Sequence, residues 1–246
     1  MSDASDINSD THADPARERT PLPTRLIEGY KVFLGGRFRR EQGRYHQLGT
    51  RGQKPKVLLI GCCDSRVSPE VIFDADPGEI FVLRNVANLV PPYAPNEDLH
   101  GTSAALEFAV MSLKVEHVVV MGHASCGGVR AFVDGLADPQ QKPLSPGDFI
   151  GKWMALIGRA AEKLGEPTEP LAAYSERLAK AAIIETFANL RTFPWLRAAE
   201  QRGELMLHGA YFGVADGLLL ALDEASGEFL PVAPESHAEA LAAARF

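Results

Sequence analysis

Two short segments, 61 positions apart from Cys62 to His123, constrain this chain more than anything else in it: Cys62-Cys63-Asp64-Ser65-Arg66 and His123-Ala124-Ser125-Cys126-Gly127-Gly128. Each directly follows a short apolar run rich in β-branched residues, Val57-Leu58-Leu59-Ile60-Gly61 and Val118-Val119-Val120-Met121-Gly122. Runs of that length and composition read as buried strands. Cys62 and His123 then leave the carboxyl ends of two strands. If those strands are neighbours in a parallel sheet, their ends define the crevice in which open α/β sheets bind ligands. Two thiolates and one imidazole converging there make a Cys2His set for zinc with the fourth position open, which is the catalytic rather than the structural arrangement. Taken singly, a buried cysteine is usually a packing residue; the joint placement points to metal.

At 246 residues and 46% hydrophobic content the chain can bury one sizeable core. No Pro/Gly/Ser-rich linker divides its middle, so a single α/β domain over 24–246 is expected, behind a polar, disordered tail at 1–23. A net charge of −7 without a basic block argues against nucleic acid or an anionic membrane as partner. The three cysteines all lie in the two motifs, which fits metal binding better than a secreted disulfide framework. Cys63 follows Cys62 in an extended segment and so points the other way, as a small packing residue. With neither an apolar leader nor a run long enough to span a bilayer, a cytoplasmic protein is expected.

Thr24 is placed to cap an N-terminal helix whose apolar face holds Leu26, Tyr30, Val32, Phe33 and Phe38, with Gly35-Gly36 as a break. A second strand is expected at 80–83, ahead of Arg84-Asn85. Helical spacing covers 98–113, where Leu106, Ala109, Val110 and Leu113 share a face. A short helix is expected at 129–133, longer ones at 149–164 and 171–190, another starting near Pro194, and strands at 205–212 and 218–223.

Cys-x-Asp-Ser-Arg followed by His-x-x-Cys-Gly-Gly resembles the β-class carbonic anhydrases. The likeness continues through Pro77-Gly78-Glu79, Phe81 to Asn88, Val90 to Tyr93, 101–115 and His208-Gly209-Ala210-Tyr211. It implies a central, mostly parallel β-sheet flanked by helices, with the N-terminal helical arm packing on a partner subunit in a homodimer or higher oligomer. It implies one Zn2+ per chain on Cys62, His123 and Cys126, and reversible hydration of carbon dioxide to bicarbonate and a proton by zinc-activated hydroxide. Asp64 then orients the hydroxide or, in a closed form, occupies the fourth zinc position itself; Arg66 orients Asp64. Gln53 matches a glutamine that donates to bound bicarbonate. Phe81 and Val86 match apolar walls, and Phe108 matches an aromatic supplied by the neighbouring subunit.

Two thiolates neutralise the zinc charge, so its water is acidified less than on a three-histidine dication, and activity should rise above neutral pH. His117 and His208 are proton-shuttle candidates by residue type alone. Some relatives bind a second, inhibitory bicarbonate on Trp, Arg and Tyr. This chain has Arg84 but Leu59 and Phe212 at the other two positions, so an open resting site is expected. The alternatives are hydrolysis of carbon disulfide or carbonyl sulfide on the same scaffold, and a non-catalytic, zinc-stabilised bicarbonate-binding protein.

Overall fold

A computed structural model describes residues 21–138 and 140–242. The tail expected at 1–23 lies, as far as residue 20, outside the described residues. The chain divides into two compact units, 1–51 and 52–246.

In the first unit, α1 (Thr24–Phe33) and α2 (Arg39–Arg51) are joined through Leu34–Phe38, where the helix widens into a π turn. Gly35 and Gly36 therefore loosen the helix instead of breaking it. Pro23, not Thr24, is the capping residue, and Thr24 is already helical. Tyr30, Phe33, Phe38 and Tyr45 pack ring to ring, with centroids 5.3–6.3 Å apart. Neither helix has a buried residue, and Leu26, Tyr30 and Val32 are more than half exposed.

The second unit is a six-stranded sheet in the order β2-β1-β3-β4-β5-β6. Its strands are β1 (Val57–Cys62), β2 (Ile80–Asn85), β3 (His117–His123), β4 (Met206–Phe212), β5 (Leu219–Asp223) and β6 (Glu228–Pro231). The first four run parallel; β5 pairs antiparallel with β4, and β6 antiparallel with β5. The helices of this unit are α3 (Pro69–Ile72), α4 (Gly101–Glu107), α5 (Gly127–Ala137), α6 (Phe149–Met154), α7 (Gly158–Leu164), α8 (Leu171–Leu190), α9 (Pro194–Gln201) and α10 (Pro234–Ala242). The pattern expected at 98–113 is α4 continued by a π turn to Leu113, closed by Lys114 in the left-handed conformation.

One sheet face carries Leu58, Ile60, Val118 and Val120, all fully buried with residues of α5, α7 and α8 in the main core. Each such side chain contributes roughly 1.5–3 kcal/mol relative to exposure. Leu59, Met121 and Ala210 form a smaller cluster apart from it. Ile183 of α8 approaches β3 so closely that a Cβ on Gly122 would lie 3.0 Å from its Cδ1. Both conditions, burial and close helix approach, account for the unbroken apolar run ending in glycine. None of the described helices is long and apolar enough to cross a membrane.

Candidate metal centre

Strand polarity assembles the site. β1 and β3 are parallel neighbours with Gly61 level with Met121, so Cys62 and His123 emerge from the same end of the sheet. Cys126 follows three positions after His123 and caps the amino end of α5 with an extended backbone (φ −65°, ψ 121°). A Cβ on Gly128 would lie 2.6 Å from Val86 Cγ1, so only glycine lets the first turn of α5 sit this close to the residues beside the cysteines.

Cys62, His123 and Cys126 are buried, and their ligating atoms all lie within 4.8 Å of one another. The two sulfurs are 4.0 Å apart; two thiolates on one tetrahedral zinc, with Zn–S near 2.3 Å, would stand about 3.8 Å apart. His123 Nδ1 donates to the carbonyl of Ala124 at 2.9 Å, which leaves Nε2 as the free lone pair. His123 Nε2 is also the only buried side-chain polar atom without a hydrogen-bond partner among the described residues. An orphaned buried acceptor facing two thiols is costly unless a cation satisfies it, so the donor set fits zinc.

The electrostatics agree. The hydrogen bond from the Cys126 thiol holds Cys62 down to about 4, despite burial. The same contact, reinforced by burial, pushes Cys126 up. Burial acts to lower His123, but contact with Cys62 more than offsets it and the net shift is upward. A cation placed among them would favour the thiolate form of both cysteines and the neutral imidazole of His123.

Asp64 and Arg66 stand beside this set. Arg66 Nε and Nη2 grip the two Asp64 oxygens at 2.9 and 2.7 Å, and the Arg66 backbone N–H adds a third bond at 3.0 Å. The paired guanidinium holds the Asp64 carboxyl well below the usual carboxylate range. Asp64 Oδ2 lies 3.9 Å from His123 Nε2. Arg66 also donates to the carbonyl of Ser125 at 3.1 Å. Cys63 is exposed and free, with its N–H bonded to Asn85 O.

The residues expected to line a substrate pocket divide into two groups. Val86 lies at the metal end: its carbonyl accepts from Trp153 Nε1 at 2.8 Å, and the next residue, Ala87, donates its N–H to Cys62 Sγ at 3.3 Å. Phe81 is level with Leu58 and Asn85 with Cys62, so Phe81 sits about 13 Å up-strand of the metal ligands. It packs on Phe108 with ring centroids 5.9 Å apart, and Phe108 is half exposed. Gln53 is exposed and precedes the amino end of β1, with at least about 17 Å of strand between it and Cys62. His117 and His208 pair with each other at 3.1 Å, and His117 opens β3, about 20 Å along the strand from His123 of the same chain.

Three residues make contacts that had no clear sequence signal. Arg84 donates to the carbonyls of Cys62 (2.8 Å) and Asp64 (2.7 Å), fixing the ligand turn. Asn85 bonds both the N–H and the carbonyl of Leu89, and the turn it closes, with Ala87 and Asn88 at positive φ, aims the Ala87 N–H at Cys62. Glu176, 51 positions beyond Ser125 and on α8, accepts the Ser125 N–H at 2.7 Å.

The sequence profile of the carbonic anhydrase family matches residues 57–219. A carbonic anhydrase of Pseudomonas aeruginosa is 36% identical over 218 residues, 88% of this chain and 94% of that protein. The mitochondrial beta carbonic anhydrase 6 of Arabidopsis thaliana is 38% identical over 169 residues, 67% of this chain; the match spans 55% of that relative's length. Among solved structures, the tetrameric beta-carbonic anhydrases of Sordaria macrospora superpose with a TM-score of 0.63 at 28% identity, over 80% of this chain and 95% of theirs. With the Cys2His cluster at the strand ends of the same kind of sheet, these matches establish that the chain belongs to the β-class carbonic anhydrases.

Proposed function

We propose that this chain catalyses the zinc-dependent, reversible hydration of carbon dioxide to bicarbonate and a proton. The observation that carries the reading is the buried Cys62–His123–Cys126 set with its orphaned Nε2, facing an ionised Asp64 already oriented by Arg66. Zinc on these residues supplies the Lewis acidity that makes water nucleophilic near neutral pH. Asp64 Oδ2 accepts a hydrogen bond from the attacking water and turns its lone pair toward the carbon. Arg66 keeps Asp64 in that task, because a carboxylate bound at two oxygens by one guanidinium does not swing readily onto a cation. Val86 contributes an apolar wall suited to a substrate without charge or net dipole.

One chain leaves the pocket incomplete. Gln53, Phe81 and Phe108 lie toward the amino ends of β1 and β2, remote from their own metal ligands. A homo-oligomer solves this: a second copy presents its Gln53, Phe81 and Phe108 to the metal end of the first, where Gln53 donates to bicarbonate. The tetrameric state of the Sordaria enzymes supports such an assembly. The N-terminal arm, which has no buried residue, takes part in it by packing on the partner, while 24–246 serve as one catalytic unit. The three cysteines are free, as a reducing compartment such as the cytoplasm keeps them.

Stopped-flow measurement of carbon dioxide hydration, with zinc content determined on the same sample, tests the reading. Activity that follows zinc, and is lost to a chelator, is expected. A zinc-loaded protein without hydration activity would overturn it.

A further inference from the structure

His123 and Cys126 are joined by only Ala124 and Ser125, so the conformation of this two-residue link sets the geometry of two of the three ligands. Ser125 adopts the left-handed region, φ 55°, which is unfavourable for a residue with a Cβ. Its peptide groups are held from opposite sides. The Ser125 N–H donates to Glu176 Oε1 at 2.7 Å, and the Ser125 carbonyl accepts from Arg66 Nη2, the same nitrogen that grips Asp64 Oδ2. The other Glu176 oxygen accepts the Tyr211 hydroxyl. Tyr211 is buried on β4, level with Gly122, one residue before His123, and the Lys180 ammonium lies 4.9 Å over its ring. The neighbouring Ala124 N–H is tied to the same strand, donating to Phe212 O at 2.9 Å.

A half-buried carboxylate with one oxygen on the ligand link and the other on a buried tyrosine is a rigid strut, not a solvated surface charge. It stabilises a backbone conformation that Ser125 does not favour by itself. Through the Ser125 carbonyl it also fixes an acceptor for Arg66, and hence the position of Asp64.

We propose that Glu176, braced by Tyr211, is a positioning residue of the metal centre: it holds Ser125 left-handed and thereby sets the His123–Cys126 spacing and the Arg66–Asp64 pair. The proposal rests on the zinc reading above and makes a prediction about metal retention that does not depend on turnover.

The test is zinc release to a chromophoric chelator from parent, Glu176→Ala, Glu176→Gln and Tyr211→Phe proteins, with the visible spectrum of each Co2+-substituted form. Glu176→Ala should release zinc at least about tenfold faster, the scale on which residues supporting metal ligands act, and should alter the Co2+ spectrum. Glu176→Gln keeps an acceptor for the Ser125 N–H and should stay within about threefold of the parent; Tyr211→Phe should fall between. Ser125→Gly removes the left-handed penalty, so adding Glu176→Ala to that variant should cost much less than it costs the parent, a coupling that separates positioning from general stability. Should Glu176→Ala not fold, Tyr211→Phe, which keeps the carboxylate, decides. Release rates and spectra like the parent's in the folded variants would overturn the proposal while leaving the zinc reading intact. A parent protein that binds no zinc would remove both.

Discussion

At the scale of single residues, Asp64 has the most sharply defined electrostatics. Its folded pKa is depressed by Arg66. A carboxyl shifted this way adds stability above its unfolded pKa, about 3.9, and loses it only as pH falls toward the folded value. Asp64 is therefore ionised throughout the range above about pH 5, and a rise in hydration activity through neutral pH belongs to the attacking water. Asp64→Asn keeps the shape but cannot pair as an anion with Arg66. It should retain zinc and lose at least about tenfold in turnover by stopped flow; turnover within twofold of the parent would reduce the pair to a structural role. Cys126→Ser should lose metal and activity together, as read by elemental analysis and assay. At Arg84 the guanidinium is already committed to the carbonyls of Cys62 and Asp64, and Leu59 is buried in an apolar cluster. A second bicarbonate would there be buried without adequate donors. Bicarbonate should therefore cause no cooperative loss of activity at lower pH, and a sigmoidal pH profile shifted by bicarbonate would contradict the open resting site.

At the scale of elements, the centre depends on how closely α5 meets the turn after β2. Gly128→Ala puts a Cβ against Val86 and should destabilise by about 1–3 kcal/mol, seen as a lower melting temperature together with faster zinc loss. An unchanged melting temperature would mean that Val86 yields freely. The buried parallel strands were legible because burial on both faces leaves a continuous apolar run. Helix ends were less so. α5 begins at Gly127, two residues before the expected 129, because the extended Cys126 caps it, and it runs on to Ala137 through Gly135, a residue that reads as a breaker in a linear pattern. Helical spacing at 149–164 is interrupted by a 3-10 turn at Ala155–Ile157. β6, with four residues and only Phe229 half-buried, carried no alternation to detect.

At the scale of the whole molecule, strand polarity separates Gln53, Phe81 and Phe108 from the metal of their own chain. We expect at least a homodimer by light scattering, and an active monomer would exclude the shared pocket. Mixing subunits gives a sharper check. A Cys126→Ser subunit has Gln53 but no metal, and a Gln53→Ala subunit has metal but no Gln53. Mixed dimers should recover activity that neither homodimer shows, because one of their two sites is complete. Additive activities without recovery would place Gln53 outside the site.

The linear chain by itself determined the parallel core and the family and singled out the Cys2His cluster proposed to hold zinc, because a cysteine or histidine motif at a strand end and two-face burial both leave local marks in sequence. What the tertiary structure decided was distance. Gln53 and Cys62 are nine positions apart, yet Gln53 lies before the amino end of β1 and Cys62 closes its carboxyl end, whereas Glu176 and Ser125, 51 positions apart, share a hydrogen bond because α8 folds back over β3 and β4. Such through-space contacts arise from packing between elements, which no local pattern of residue types encodes.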